Sequence, residues 1–100
     1  MSRIIFEINY DVVPEKREEY LSVIKELQEH IRNNSHKNYL VVEDKSRKNN
    51  FTEIYICENE NEYESLEDNT DDTAFELTNK LFSELVVDKK AKYSTYYEII

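Results

Sequence analysis

Three side chains in this sequence have the chemistry of a base or a nucleophile near neutral pH: His30, His36 and Cys57. A histidine that faces a pocket can act as a general base. His30 falls in the last turns of a predicted helix, where a cation is favourable, and His36 falls in a polar loop, so structural roles are favoured for both. Cys57 lies inside an apolar strand, which favours a buried filler over a nucleophile. Neither histidine combines with Cys57 or a carboxylate at metal-ligand spacing, so we predict no metal site.

Charge excludes two classes of partner. The net charge is −9, and residues 58–76 contain nine acidic residues and no Lys or Arg. Such a field repels phosphate backbones and anionic lipid, so we expect neither nucleic-acid nor membrane binding. The acidic run also lacks the glycine and the ligand spacing of a calcium loop, and we interpret it as a solvated helix face.

The chain contains no glycine, although average usage would place about 7 in this length. Gly-rich phosphate loops of the dinucleotide and P-loop types are therefore absent, and nucleotide-dependent chemistry is disfavoured. Backbone positions that need a left-handed residue must fall to asparagine. The pairs Asn33-Asn34 and Asn49-Asn50 lie where turns are predicted.

The length of 100 residues predicts one domain spanning residues 1–100, and 39% hydrophobic residues are enough for a core. The first residues lack the apolar stretch and cleavage site of a secretory signal, and no apolar run approaches membrane-spanning length. A single cysteine excludes an internal disulfide framework. We therefore expect a cytoplasmic location.

Hydrophobic periodicity predicts four strands and two helices. Apolar residues alternate with period two over 3–10, and Ile54 and Ile56 share one face of 51–57, which predicts strands. Residues 39–43 and 91–100 are rich in β-branched and aromatic residues, which predicts two more strands. Pro14 marks a helix start, and apolar residues at three- and four-residue spacing continue to about residue 32. A second helix follows residue 58, with capping boxes expected at Asn59-Glu62 and Thr73-Glu76, and we expect it to be broken near Asn69-Thr70.

The order β-α-β-β-α-β predicts a ferredoxin-like α+β fold, in which two helices cover one face of a four-stranded antiparallel sheet. Residue parity predicts that the helix-covered face carries Ile4, Phe6, Ile8, Leu40, Val42, Ile54 and Ile56. The other face would then carry Ile5, Glu7, Asn9, Tyr39, Val41, Glu43, Glu53, Tyr55 and Cys57. That mixed face favours a homodimer built sheet against sheet, and the alternative is a monomer with one solvated sheet face.

Four segments of this element order match a known pattern: residues 4–9, 14–20, 53–55 and 97–100. In these segments and in its element order, the chain resembles the antibiotic biosynthesis monooxygenase-like family of dimeric α+β barrels. The resemblance covers nearly the whole chain.

This resemblance implies a cofactor-independent oxygenase, since members of the family oxidise quinol-like aromatic molecules without metal or flavin. Haem-degrading members use a strand-one asparagine with a helix tryptophan and histidine. Only the asparagine has a counterpart here, Asn9, because the sequence has no tryptophan and neither histidine falls on the second helix. Asn9 could orient a substrate oxygen as a catalytic residue, or could bond a neighbouring backbone group.

In such folds a pocket lies between the sheet and its helices, and the resemblance places Tyr55, Tyr63, Phe75 and Phe82 as candidate substrate-binding residues. Alternatively, these aromatic side chains only fill the core. The leading hypothesis is thus a cofactor-independent monooxygenase-like protein that acts on a small aromatic or quinol-type molecule. The other hypothesis is a non-catalytic dimer that binds a small molecule or a protein.

Overall fold

The structure is a computed structural model that describes residues 2–34, 38–66 and 71–99. Its four strands are β1 (Ile4–Asp11), β2 (Tyr39–Glu43), β3 (Asn50–Cys57) and β4 (Lys92–Tyr97). Its α-helices are α1 (Arg17–Asn34), α2 (Glu60–Glu64) and α3 (Asp72–Lys80), with a 3-10 turn at Pro14–Lys16, a π turn at Leu81–Leu85 and a second 3-10 turn at Val87–Lys89.

The four strands form one antiparallel sheet in the order β2-β3-β1-β4. β3 pairs with β2 through a hairpin, as the sequence predicts, and β1 lies between β3 and β4. Helices α1 and α3 both pack on the same face of the sheet and contact each other. The predicted ferredoxin-like α+β fold is therefore confirmed.

The sequence signals for helix ends succeed in part. Pro14 begins the turn that leads into α1, and the Asn59 side chain accepts a hydrogen bond from the backbone N–H of Glu62 at 2.9 Å, as predicted. The cap of α3 differs from the prediction, because Asp71, and not Thr73, caps the helix by accepting from the N–H of Ala74 at 2.9 Å. The expected break at Asn69-Thr70 lies outside the described residues.

Asparagine replaces glycine at the hairpin between β2 and β3, where Asn49 has φ of 68°. Its neighbour Asn50 begins β3. Two further left-handed positions, at Asp88 and Lys89, were not predicted from the sequence. Asn33 and Asn34, in contrast, remain inside α1.

The predicted division of the sheet faces is correct for β1 and wrong for β2 and β3. The register places Tyr10 opposite Phe51, Ile8 opposite Glu53 and Phe6 opposite Tyr55, and directly opposed residues share a face. The helix-covered face therefore carries Tyr39, Val41, Phe51, Glu53, Tyr55 and Cys57, together with the even-numbered residues of β1. Period-two alternation separates the two faces of each strand but does not say which one faces inward.

In the part of the chain that the structure describes, the helices pack on the first face and leave the opposite sheet face uncovered. It carries Ile5, Glu7, Asn9, Leu40, Val42, Thr52, Ile54, Ile56, Ser94 and Tyr96. We call this the bare face. Among the described residues, no helix has the length and apolar character needed to cross a membrane.

Candidate functional site

Four aromatic rings meet on the helix side of the sheet and form what we call the aromatic floor: Phe6, Tyr55, Tyr63 and Tyr93. The Phe6 ring is central. Its centroid lies 6.0 Å from Tyr55, 6.0 Å from Tyr63 and 6.2 Å from Tyr93. Tyr93 stacks on Phe6 at an interplanar angle of 14°, whereas Tyr63 meets it edge-on at 72°.

Four different elements position the aromatic floor. Phe6, Tyr55 and Tyr93 project from β1, β3 and β4, and Tyr63 comes from the short helix α2. The Tyr63 hydroxyl lies 3.4 Å from the Thr95 hydroxyl of β4. Tyr93 remains 62% exposed, whereas α1 contacts β2 and its Tyr20 ring packs against Tyr10 of β1 and Phe51 of β3. The floor is thus an aromatic surface that solvent can reach.

Next to the floor lies a closed cluster, the tyrosine–carboxylate network, formed by Tyr10, Tyr20, Tyr39 and Glu53. Glu53 is only 3% exposed. The Tyr39 hydroxyl donates to Glu53 Oε1 at 2.6 Å and the Tyr10 hydroxyl donates to Glu53 Oε2 at 2.7 Å. The Tyr10 and Tyr20 hydroxyls are 2.8 Å apart. A buried carboxylate thereby receives the hydrogen bonds that burial requires.

Proton positions in this network follow from the number of donors. Tyr10 has one hydroxyl proton and gives it to Glu53, so Tyr20 must donate to the Tyr10 oxygen. Burial raises the pKa of Glu53 above that of an ordinary glutamate, and the hydrogen bonds from Tyr39 and Tyr10 offset part of that rise. Burial, with the nearby Glu53 carboxylate, also raises the pKa of Tyr10 and Tyr39, so both phenols stay neutral.

The two clusters touch through one pair of rings. Tyr39 of the network and Tyr55 of the floor have centroids 4.7 Å apart at 45°. Burial raises the pKa of Tyr55, and the charge of Glu53 contributes to that rise. A continuous path of aromatic rings therefore connects the exposed floor to the interior carboxylate.

The structure brings together two of the four predicted substrate-binding residues. Tyr55 and Tyr63 both contact Phe6 in the aromatic floor. Phe82 packs edge-on against Tyr10 at 5.4 Å, which places it beside the tyrosine–carboxylate network. Phe75 lies on α3 with 59% of its surface exposed, outside both clusters.

Asn9, the predicted catalytic residue, lies on the bare face and not with these aromatic side chains. Its amide Nδ2 donates to Asn50 Oδ1 at 2.9 Å, to Thr52 Oγ1 at 3.0 Å and to the Phe51 carbonyl at 3.2 Å. These contacts correspond to the structural alternative that the sequence left open. A catalytic role for Asn9 stays a prediction.

The other candidate groups are engaged or buried. His30 Nε2 lies 2.8 Å from both carboxylate oxygens of Asp71, so it connects α1 to the N-cap of α3. Burial raises the pKa of the Cys57 thiol to about 11, which makes it a poor nucleophile. His36 lies outside the described residues. Within ranges 2–34, 38–66 and 71–99, no three His, Cys, Asp or Glu side chains are grouped to hold a metal ion.

Reasoning from the sequence missed Phe6 and Tyr93 of the floor and all four members of the network. One signal was available for Glu53. Side chains two residues apart in a strand share a face, so placing Tyr55 in a pocket under the helices requires Glu53 to point the same way. Once Glu53 is on that face, its burial demands hydroxyl partners, and the sequence is rich in tyrosine.

Comparison with known proteins supports the fold. No family model matches the chain, and no curated protein matches it. A conserved protein from Methanosarcina mazei has a TM-score of 0.75 and 22% identity, covering 96% of this chain and 92% of that one.

Two structures described as putative antibiotic biosynthesis monooxygenases are also similar. That from Bacteroides thetaiotaomicron has a TM-score of 0.71 and 21% identity, covering 98% and 90% of the two chains. That from Nitrosomonas europaea has a TM-score of 0.76 and 7% identity, covering 97% and 90%. The chain therefore has the fold of the antibiotic biosynthesis monooxygenase-like structures.

Proposed function

We propose that this protein is a cofactor-independent, monooxygenase-like enzyme that binds a small aromatic or quinol-type molecule on the aromatic floor. The observation that carries the proposal is the floor itself. Tyr93 stacks on Phe6 and Tyr63 meets Phe6 edge-on, so the floor offers a planar ligand both a stacking face and a ring edge, and Tyr93 is 62% exposed. Two structures of the same fold, both described as putative antibiotic biosynthesis monooxygenases, support this proposal.

The chemistry requires no electron donor besides the substrate. A quinol-type molecule loses a proton, passes electrons to dioxygen and takes one oxygen atom into the ring system. The second oxygen atom leaves as water, and in the net reaction the substrate loses two hydrogens, the first of them as a proton that passes through solvent. The chain's contribution is to hold the ring in place and exclude water from one side. The proton goes to solvent, because Glu53 is 3% exposed and already accepts two hydrogen bonds.

A second function, a non-catalytic module that binds a small aromatic molecule, is favoured by the same position of Glu53. The carboxylate closest to the floor's inner edge is enclosed by Tyr10 and Tyr39 and cannot take a substrate proton directly. A module of this kind would use the floor for binding alone. The two functions differ in oxygen consumption.

The test is an oxygen-electrode assay with a panel of reduced quinols. We expect consumption that rises with pH as the quinol ionises, and we expect Tyr63→Leu to reduce it. Phe75→Leu is the matched control, because the structure leaves this exposed ring outside the floor. Asn9→Ala reports on the catalytic hypothesis drawn from the sequence. Absence of oxygen uptake with every quinol, together with saturable binding, would select the non-catalytic module.

We also propose that the protein is a homodimer joined through the bare face. Cross-strand pairing groups five apolar side chains there into one patch: Leu40, Ile54, Ile56, Ile5 and Tyr96. A contiguous apolar patch on a sheet is costly to leave in water. A second copy supplies an identical patch, so a twofold arrangement covers both at once.

Native mass spectrometry tests the dimer. Ile54→Lys places a charge in the middle of the patch and should give a monomer. Leu21→Lys is the matched control, since Leu21 is 36% exposed on α1, on the helix side of the molecule. A wild-type monomer at micromolar concentration would contradict the proposal.

A further inference from the structure

We propose that Tyr10 and Tyr39 are redox-active, each able to lose one electron while its phenolic proton moves to Glu53. The product is a neutral tyrosyl radical beside a neutral carboxylic acid. A phenol gives up an electron far more readily when a hydrogen-bonded base takes its proton in the same step. The two distances to the Glu53 oxygens, 2.7 Å from Tyr10 and 2.6 Å from Tyr39, allow that transfer without movement of heavy atoms.

Burial makes this oxidation favourable at this site. Before the step, the network contains a carboxylate in a site that is 3% exposed, where a negative charge is poorly solvated. After the step, the electron has left, the carboxyl is neutral and no charge remains. Oxidation of a solvent-exposed tyrosine is not favoured in this way, because water already solvates any carboxylate beside it. Tyr10 at 2% and Tyr39 at 0% exposure also protect a radical from coupling with other molecules.

The oxidant is an organic peroxyl radical, ROO•, and its formation at the floor rests on the proposed oxygenase function. It gains one electron from the tyrosine and one proton from solvent and becomes the hydroperoxide ROOH. The electron passes from Tyr39 through Tyr55, whose rings are 4.7 Å apart, and Tyr55 contacts Phe6 of the floor. The network would thus remove a damaging radical from the site where dioxygen reacts.

The experiment oxidises the purified protein with hexachloroiridate(IV), a one-electron oxidant, followed by freeze-quench electron paramagnetic resonance. This probe makes the result independent of any substrate. The oxidation is carried out in a series of buffers of increasing pH, because the pKa of Glu53 is raised and the signal should grow as the carboxyl ionises. We expect a long-lived tyrosyl signal in the wild type and its loss in Glu53→Gln, whose amide cannot accept the proton.

Surface tyrosines provide the control, since Tyr93, Tyr96 and Tyr97 are each more than half exposed, at 62%, 51% and 63%. The long-lived signal should survive in the triple variant Tyr93→Phe/Tyr96→Phe/Tyr97→Phe. Loss of the signal in that variant, or its persistence in Glu53→Gln, would overturn the proposal. If Glu53→Gln does not fold, Tyr10→Phe/Tyr39→Phe takes its place and must lose the signal. A radical in the wild type without quinol oxidation would refute the oxygenase function alone.

Discussion

The two tyrosine clusters on the helix side of the sheet use the same residue type in opposite ways. In the tyrosine–carboxylate network, Tyr20 and Tyr39 are 0% exposed and the hydroxyl groups of Tyr10 and Tyr39 hold a buried carboxylate. In the aromatic floor, Tyr93 is 62% exposed, and the tyrosines contact Phe6 through their rings and not through their hydroxyl groups. Packing into the core therefore separates the buried tyrosines, which hold the carboxylate, from the exposed Tyr93, which remains available to a ligand.

The largest effect is expected from deleting the acceptor at the centre of the network. Glu53→Leu leaves the Tyr10 and Tyr39 hydroxyls buried without their acceptor, which should lower the free energy of unfolding by about 2 to 5 kcal/mol. Urea denaturation followed by circular dichroism measures the change.

Removing the donors as well sharpens this result. In Glu53→Leu/Tyr10→Phe/Tyr39→Phe no polar group of these three residues remains to be satisfied, so much of the lost stability should return. A triple variant as unstable as Glu53→Leu would show that packing, and not hydrogen bonding, holds the network together.

The next effect is a change in the pH dependence of stability. The pKa of Glu53 is raised in the folded state. Its contribution to the free energy of unfolding is therefore fully present below the pKa of glutamate in the unfolded chain, and is lost as the pH rises through the pKa in the folded protein. Glu53→Gln should therefore remove a decline in stability on the alkaline side of an ordinary glutamate pKa.

Glu43 gives the matched control, with the opposite sign. Its ion pair with Arg17, at 2.6 Å, lowers its pKa from 4.5 to about 2, so its contribution is lost as the pH falls through that range. Glu43→Gln should flatten the acid side of the profile only. The same slope change in both variants would contradict the assignment of the buried carboxyl.

A smaller effect is expected in the floor. Tyr63→Leu removes the edge-on contact with Phe6, and aromatic pairs contribute about 0.5 to 1.5 kcal/mol. If the ligand uses this edge in a similar way, a quinol or aromatic probe should bind about two- to tenfold more weakly. Fluorescence titration measures the affinity, and unchanged binding would mean that the ligand lies elsewhere.

The smallest effect is expected from Tyr97→Phe. The Tyr97 hydroxyl donates to Glu60 at 3.0 Å, but both groups lie at the surface, where water replaces a lost hydrogen bond. Denaturation should give the wild-type unfolding curve within error. A marked loss of stability would show that the exposed end of the sheet is more closely packed than the network comparison implies.

Much of the fold was predictable from local patterns. Alternation and the density of β-branched and aromatic residues predicted the strands. The spacing of Tyr20, Val23, Ile24, Leu27 and Ile31 predicted α1, and Asn59 and Asn49 marked a helix start and a turn. The candidate site was less predictable. Of the four predicted substrate-binding residues, Tyr55 and Tyr63 meet in the aromatic floor, whereas Phe75 lies exposed and Phe82 contacts Tyr10. Nothing in the neighbouring sequence separates the aromatic residues of the floor from the others, so only tertiary packing distinguishes them.

By itself the sequence determined the element order, because periodicity and capping are local properties that short segments carry alone. Tertiary structure decided which face of β2 and β3 turns inward. Ile54 and Ile56 are more apolar than Glu53 and Tyr55, and burial of apolar area alone would have placed them under the helices. The opposite arrangement is stable because Tyr10 and Tyr39, from two other strands, reach the Glu53 carboxylate and satisfy it. Hydrogen bonds between distant segments depend on how the whole chain folds, and a local sequence pattern carries no information about that arrangement.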